Sequence, residues 1–592
     1  MIGRLELSEH QYKSAIEKFN YVIKNELPNY EPYYFRGIAK LELGDFIGAE
    51  LDFTEAIKLK PRDINSFIIR ASTRDKLLNY KGAFEDFENA IKIDSTNSDI
   101  YLNRAITYNY LQDYNRAVID CEKAFHYNNN KEVVYVIRGM SHLGLKKYNK
   151  AINDFNLIIK SNPFKASTYV RRATAYYHLF IYDSALIDIN RALHIDNKSS
   201  YAYFQRAMVY KKIDHPEDAL KDLNMVLELS PNFTSAYYNR ALTYSDKNEY
   251  EQALNDFDKV ILLSPKNILA YYNRSLTYLK LKKIKLARKD VEKAIQIYPD
   301  FVDGYKLRAS LKQENGEFQS ANLDLQTAEI ITNSKLDITD SLKEHEELNI
   351  AKVTSFSGNS NNNVDPISNN EIALIKPFYI SLLASTKSKR IVDSWNKKNN
   401  AFSAYFLLNS DNKEINEKLK LEKLNVLNDK IENDFRNGEL YLKRAIIHAS
   451  LDFYDKAILD FNKSLHLDSD NYMAYFGKAN MLYKTINRIE YSSYTIEMVI
   501  KDYDKCIKLN SNFSYAFFNR AYLKFENKNY IGAIEDYSIT INLSPSFAEA
   551  YLNRALILLI LENNEQACKD LSKAGELGIL KGYSLISKFC NK

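Results

Sequence analysis

An arginine and an aspartate sixteen residues apart recur within a thirty-four-residue unit along most of the chain. The pairs are Arg36/Asp52, Arg70/Asp86, Arg104/Asp120, Arg138/Asp154, Arg172/Asp188, Arg206/Asp222, Arg240/Asp256, Arg274/Asp290 and Arg308/Asp324, then Arg444/Asp460, Arg520/Asp536 and Arg554/Asp570, with Lys478/Asp502 as the departure. A guanidinium and a carboxylate at fixed spacing can pair with each other in a packing layer or present a repeating charge code to a ligand. The packing role is favoured, because each arginine precedes a small residue and the aspartate lies next to an aromatic or apolar one. A partly buried fork of donors needs its carboxylate. Chemistry beyond that has no visible carrier: there is no phosphate-binding glycine loop, nucleophile elbow, zinc-binding histidine pair or paired C-x-x-C. Catalytic, cofactor-binding and metal-binding residues are therefore expected to be none.

The elements that position these pairs follow from the period. In residues 234–267, Tyr237, Ala241 and Tyr244 fall at helical spacing, and Ala253, Phe257 and Val260 do so again. This predicts two short helices joined by a polar turn, stacked many times. Small residues at Gly37, Ala71, Ala105, Gly139 and Ala241, and at Ala49, Ala83 and Ala253, mark where the two helices cross closely. Pro61, Pro163, Pro231, Pro265, Pro299 and Pro545 end second helices. Antiparallel register lets Asp222 meet Arg206 of its own repeat or Arg240 of the next, and the next is favoured.

Tyr237, Arg240, Ala241, Tyr244, Ala253, Phe257, Val260 and Pro265 resemble the signature of the tetratricopeptide repeat, except that Arg240 stands where that family usually has leucine. Units so matched begin at residues 30, 64, 98, 132, 166, 200, 234, 268 and 302. The resemblance covers roughly four-fifths of the chain and implies an all-α, right-handed solenoid. It also implies an inner groove on the first helices, lined here by Tyr34, Ile68, Leu102, Asn103, Val136, Val170, Phe204, Tyr238, Asn239, Tyr272 and Asn273. Such a stripe invites a protein or peptide if it is exposed; tight superhelical curvature is the alternative that buries it. The lysines that a carboxylate clamp for chaperone tails requires are missing, since Leu102, Tyr238 and Tyr272 hold those places.

More narrowly, the wording MIGR and YEPYYFRGIAKLELGDFIGAELD is similar to long bacterial tetratricopeptide proteins of unassigned function, in which an export signal and a further helix precede MIGR. The expectation is an N-terminus upstream of Met1. The chain as written carries no signal peptide and would be cytoplasmic by default, periplasmic or envelope-associated if the upstream segment exists.

The expected organisation is about ten repeats over residues 1–335, the first truncated, and an insert over 336–437. Four repeats over 438–581, interrupted near 483–494, and a capping helix over 582–592 complete it. Within the insert, the Asn- and Ser-rich stretch 355–370 reads as a linker, 371–385 as strand-like and 413–435 as a helix. The apolar segment Ile372 to Leu383 could lie in the groove of residues 30–335 as a tethered competitor.

A net charge of +5 from 81 Lys and Arg against 76 Asp and Glu gives no field for phosphate backbones, so nucleic acid is not an expected partner. The basic run KLKKIKLARK at 280–289 crosses a turn and reads as a solvated outer face. No apolar run reaches bilayer length. Cys121, Cys506, Cys568 and Cys590 are scattered, and a disulfide framework is not expected. Oligomeric state is not encoded in these patterns.

Overall fold

The computed structural model describes residues 2–127, 132–336, 379–382, 406–409, 417–486 and 495–590. Over these residues the fold is an all-α solenoid of successive helix pairs, with one short pair of strands. The first helix of a repeat carries the arginine and the second carries the aspartate, as in Thr234–Asp246 with Tyr250–Leu263. Several first helices start on a side-chain cap: Asn29, Asp63, Asn97, Asn267 and Asn437 each accept a hydrogen bond from a backbone N–H in the first turn.

The turn between the two helices is repeated as strictly as the helices. Gly44, Leu78, Gln112, Lys146, Phe180, Asp214, Asn248, Lys282 and Gly316 all have φ between 57° and 81°. A left-handed residue there lets the following N–H reach back into the helix, as Glu249 N–H does to Tyr244 O at 2.8 Å. Leu78 and Phe180 adopt this conformation without glycine's freedom, at about 1 kcal/mol each, because the helices on both sides fix the turn. Where the helices cross, Ala241, Ala253 and Phe257 are fully buried. At Gly37 even a Cβ would lie 2.7 Å from the Phe53 ring.

The chain packs as two units, Tyr80–Val364 and a second made of Met1–Asn79 with Asp365–Lys592. Within the latter, the second helix of the last repeat, Asn564–Glu576, packs on helices Tyr12–Asn25 and Phe46–Leu59. The join is polar. Lys40, fully buried, bridges Asp52 at 2.9 Å and Glu576. Asn20 Nδ2 donates to Glu576 O at 2.6 Å, and Ser572 Oγ donates to Asp45 Oδ2 at 2.5 Å. Gly48 belongs there because a Cβ would collide with Ser572 Oγ and the Asp45 carboxylate.

The helix Glu417–Asn433 lies inside the expected span 413–435 and stacks as a second helix ahead of the Arg444 repeat, whose Nη1 donates to Asn428 Oδ1 at 3.1 Å. Strand β1, Tyr379–Leu382, falls within the strand-like stretch and pairs antiparallel with β2, Phe406–Asn409, which the sequence did not single out. The structure sets β1 on the first helices Gly438–Ser450 and Tyr472–Ile486. The linker 355–370, most of 371–385 and the insertion 487–494 lie outside the described residues. Helix Lys581–Phe589 follows the last repeat.

One expectation is overturned by the cysteines. Cys568 and Cys590 form a disulfide with Cα atoms 5.9 Å apart, because Lys581–Phe589 folds back on Asn564–Glu576. A separation of 22 residues matches no cysteine motif, so spacing did not reveal it. Cys121 and Cys506 are free and buried, and burial pushes the Cys121 thiol up to about 12.

Candidate peptide-binding groove

The ladder sets the angle at which the first helices are presented. Asp222 pairs with the arginine of its own repeat: Arg206 Nε lies 2.8 Å from Asp222 Oδ2 and Nη2 2.8 Å from Oδ1. The same two-bond fork joins Arg36 to Asp52, Arg104 to Asp120, Arg240 to Asp256 and Arg274 to Asp290. The favoured pairing of Asp222 with Arg240 is therefore wrong. Arg240 spends Nε and Nη2 on Asp256 and turns Nη1 back to Asn224 Oδ1 of the preceding repeat at 2.7 Å. Adjacent repeats are tied through that third nitrogen, as they are by Arg172 to Asn156 and Arg274 to Asp258. Only the geometry of the fork separates the two roles.

The flanking aromatics complete the site of each guanidinium. Arg240 lies 5.6 Å from the Tyr237 ring centre and 6.0 Å from that of Tyr244, and Arg206 sits similarly between Tyr203 and Tyr210. Much of the abundance of tyrosine, 45 residues, belongs to this sandwich. Where a lysine or histidine replaces the second tyrosine, it becomes a further donor to the aspartate. Examples are Lys40 on Asp52, Lys312 on Asp324 and Lys524 on Asp536. His142 and His448 do the same through Nδ1, 3.0 Å from Asp154 and 2.9 Å from Asp460. Burial would raise the Asp154 carboxyl, but His142 and Arg138 hold it below its ordinary value. The departing repeat keeps a weaker pair, Lys478 to Asp502 at 3.2 Å, and there burial wins and raises the carboxyl.

With the ladder fixed, the stripe on the first helices of residues 80–336 is partly open. Val136, Phe204, Tyr238 and Tyr272 are half-buried, Met140 is 39% exposed, and Leu102 and Val170 are buried. Packing within the array thus covers part of the stripe and leaves Val136, Met140, Phe204, Tyr238 and Tyr272 partly accessible. The Tyr272 ring stands edge-on to Phe301, and Tyr238 edge-on to Phe257. Burial pushes the Tyr238 phenol up to about 12, and Asn273 Nδ2 donates to its oxygen at 2.9 Å, linking two repeats across the groove face. Asn103, Asn239 and Asn273 each donate to the carbonyl four residues earlier, at Asp99, Ser235 and Leu269. Tyr34 and Ile68, in the other unit, are also half-buried.

Beside Val170, Arg171 makes no ion pair among the described residues, and burial lowers its guanidinium pKa. Its signal in the sequence was available: it interrupts a position that elsewhere holds Asn103, Asn239 and Asn273. Among the described residues, no group of three or more His, Cys, Asp or Glu could hold a metal ion, and no helix is long and apolar enough to cross a membrane.

Comparison with known proteins agrees with the repeat geometry. Tetratricopeptide repeat descriptions match residues 234–267 and residues 133–165, 200–233 and 268–301. No match was found among curated proteins. Similar solved structures include a tetratricopeptide repeat protein from Parabacteroides merdae, 19% identical with a TM-score of 0.33, covering 43% of this chain and 98% of its own. A thermophilic tetratricopeptide protein from Thermus thermophilus is 18% identical, with a TM-score of 0.29, over 31% of this chain and all of its own, 100%. YrrB, a tetratricopeptide protein with an unusual peptide-binding site, is 24% identical with a TM-score of 0.26, over 32% and 97%. Proteins of this family bind proteins or peptides and are in general non-catalytic scaffolds. The chain thus carries tetratricopeptide repeats at residues 133–165 and 200–301, and helix pairs of the same thirty-four-residue length continue on either side of them.

Proposed function

We propose that this protein is a non-catalytic scaffold that binds a peptide or helix along the first-helix face of the repeats in residues 80–335. The observation that supports it is the half-exposed stripe of Val136, Met140, Phe204, Tyr238 and Tyr272, since large apolar side chains left accessible in register are what an apolar ligand buries. The ladder beneath it is already satisfied and so has no charge to give a ligand. In an affinity pull-down, Tyr238→Asp with Tyr272→Asp is expected to cut capture of the partner at least about tenfold, because two apolar contacts are replaced by desolvated carboxylates. Capture that is unchanged moves the site off this face.

A second function, cell-envelope assembly or glycan handling, is supported by the Cys568–Cys590 disulfide, because such bonds persist in oxidising compartments. Alkylation of the denatured protein, taken from its native cell without reductant, is expected to label Cys121 and Cys506 alone. Labelling of all four cysteines counts against the envelope.

A further inference from the structure

The first-helix face of the C-terminal repeats differs from that of residues 80–336. On helices Gly438–Ser450 and Tyr472–Ile486, Leu442, Ile446 and Phe476 occupy positions like those of Val136, Met140 and Phe204, yet none is more than 1% exposed. Strand β1 lies on these two helices. Asn480, on the second of them, is fully buried, and its Oδ1 accepts from the Tyr503 hydroxyl at 2.5 Å and from Asn519 Nδ2 at 3.1 Å. Those two bonds orient the amide, and its Nδ2 has no acceptor among the described residues, β1 included. A buried N–H group without an acceptor is rare in a folded protein.

We infer that this face is a site for an apolar peptide in extended conformation, and that the chain's own strand β1 occupies it, so that a partner must displace it. The occupant has the right character: EIALIKPFYISLLAS around β1 is apolar and rich in β-branched residues. The face offers no cation for a carboxylate tail at Leu442, Ile446 or Phe476, which argues for backbone and apolar recognition. Tethering gives β1 an effective concentration near millimolar, so a free peptide of micromolar affinity competes poorly with it. This inference takes from the proposed function only that first-helix faces bind peptides, and it concerns different repeats.

The test uses a labelled synthetic peptide of residues 371–385 and fluorescence anisotropy. A chain lacking residues 371–385 is expected to bind it at least about tenfold more tightly than the intact chain. Ile380→Asp with Leu382→Asp, at full length, is the second variant should the deletion fail to fold. Hydrogen exchange is expected to slow at 438–450 and 472–486 on binding. Binding should survive Tyr238→Asp with Tyr272→Asp, so that failure of the groove in residues 80–336 leaves this result intact. Equal affinity for opened and intact chains, no binding by folded variants, or protection confined to residues 80–336 would overturn the inference.

Discussion

Asp52→Ala is expected to lower the unfolding free energy of the unit containing residues 1–79 by about 3–5 kcal/mol, measured by urea denaturation followed by circular dichroism. Asp52 is 2% exposed and faces two cations, Arg36 through a two-bond fork and Lys40 at 2.9 Å. Removing the carboxylate leaves a guanidinium that is 9% exposed and a fully buried ammonium to share Glu576 as their remaining acidic partner among the described residues. The triple change Arg36→Leu, Lys40→Met and Asp52→Leu is expected to recover most of that loss, since an apolar replacement leaves no buried charge and Glu576 keeps Lys573 at 2.8 Å. A triple variant as unstable as Asp52→Ala would mean that packing, and not charge, holds this join.

The same cluster makes the join acid-sensitive. Burial by itself would raise the Glu576 carboxyl, but Lys40, Arg36 and Lys573 bring it well below the ordinary carboxylate range. A depressed folded pKa contributes stability that is complete above the unfolded value, about 4.5, and drains away as pH falls below it. Asp45 opposes this in part, because burial raises its carboxyl in spite of Lys40. The urea midpoint of the wild type is therefore expected to fall between pH 5 and pH 3 by more than that of Glu576→Gln.

In the middle of the ladder, Asp222→Ala is expected to cost about 2–3 kcal/mol. This is less than at Asp52 because the Arg206 side chain is 21% exposed and water screens part of the stranded charge. Arg206→Leu with Asp222→Leu should stay within about 1 kcal/mol of the wild type. A double-mutant cycle separates the possible partners: Asp222 should couple to Arg206 by at least about 1 kcal/mol and to Arg240 by close to zero. Coupling to Arg240 would contradict the fork seen here. Arg240→Leu should instead couple to Asn224, its acceptor across the repeat boundary.

These residues show how far spacing can be read. Arg206, Ala207 and Asp222 declare a packing layer, and the helices Ser200–Lys212 and Pro216–Leu229 appear where the apolar period puts them. Spacing could not say which arginine Asp222 meets, because both candidates stand at distances compatible with antiparallel helices. The choice falls to the direction of Nε and Nη2. His142 and His448 were visible as departures from tyrosine, but their second role, donating to Asp154 and Asp460, needed the side-chain geometry. Of the groove positions, Leu102 and Val170 are buried while Tyr238 and Tyr272 remain half-open. Which neighbouring side chains cover each position decides that, and it is not written in a period.

Everything that recurs is legible in the residues alone: the helix pair, its polar turn, the small-residue crossing and the Arg/Asp layer. Contacts within a repeat and to its neighbour are short-range along the chain, so the same residues must reappear in every unit and the period exposes them. What happens once is settled by packing in three dimensions: Glu576 against Lys40, Cys568 against Cys590, and strand β1 on the first helices of the C-terminal repeats. Each is a single event with no copy to set it apart from the surrounding pattern, and the first and last join segments farther apart in the chain than neighbouring repeats.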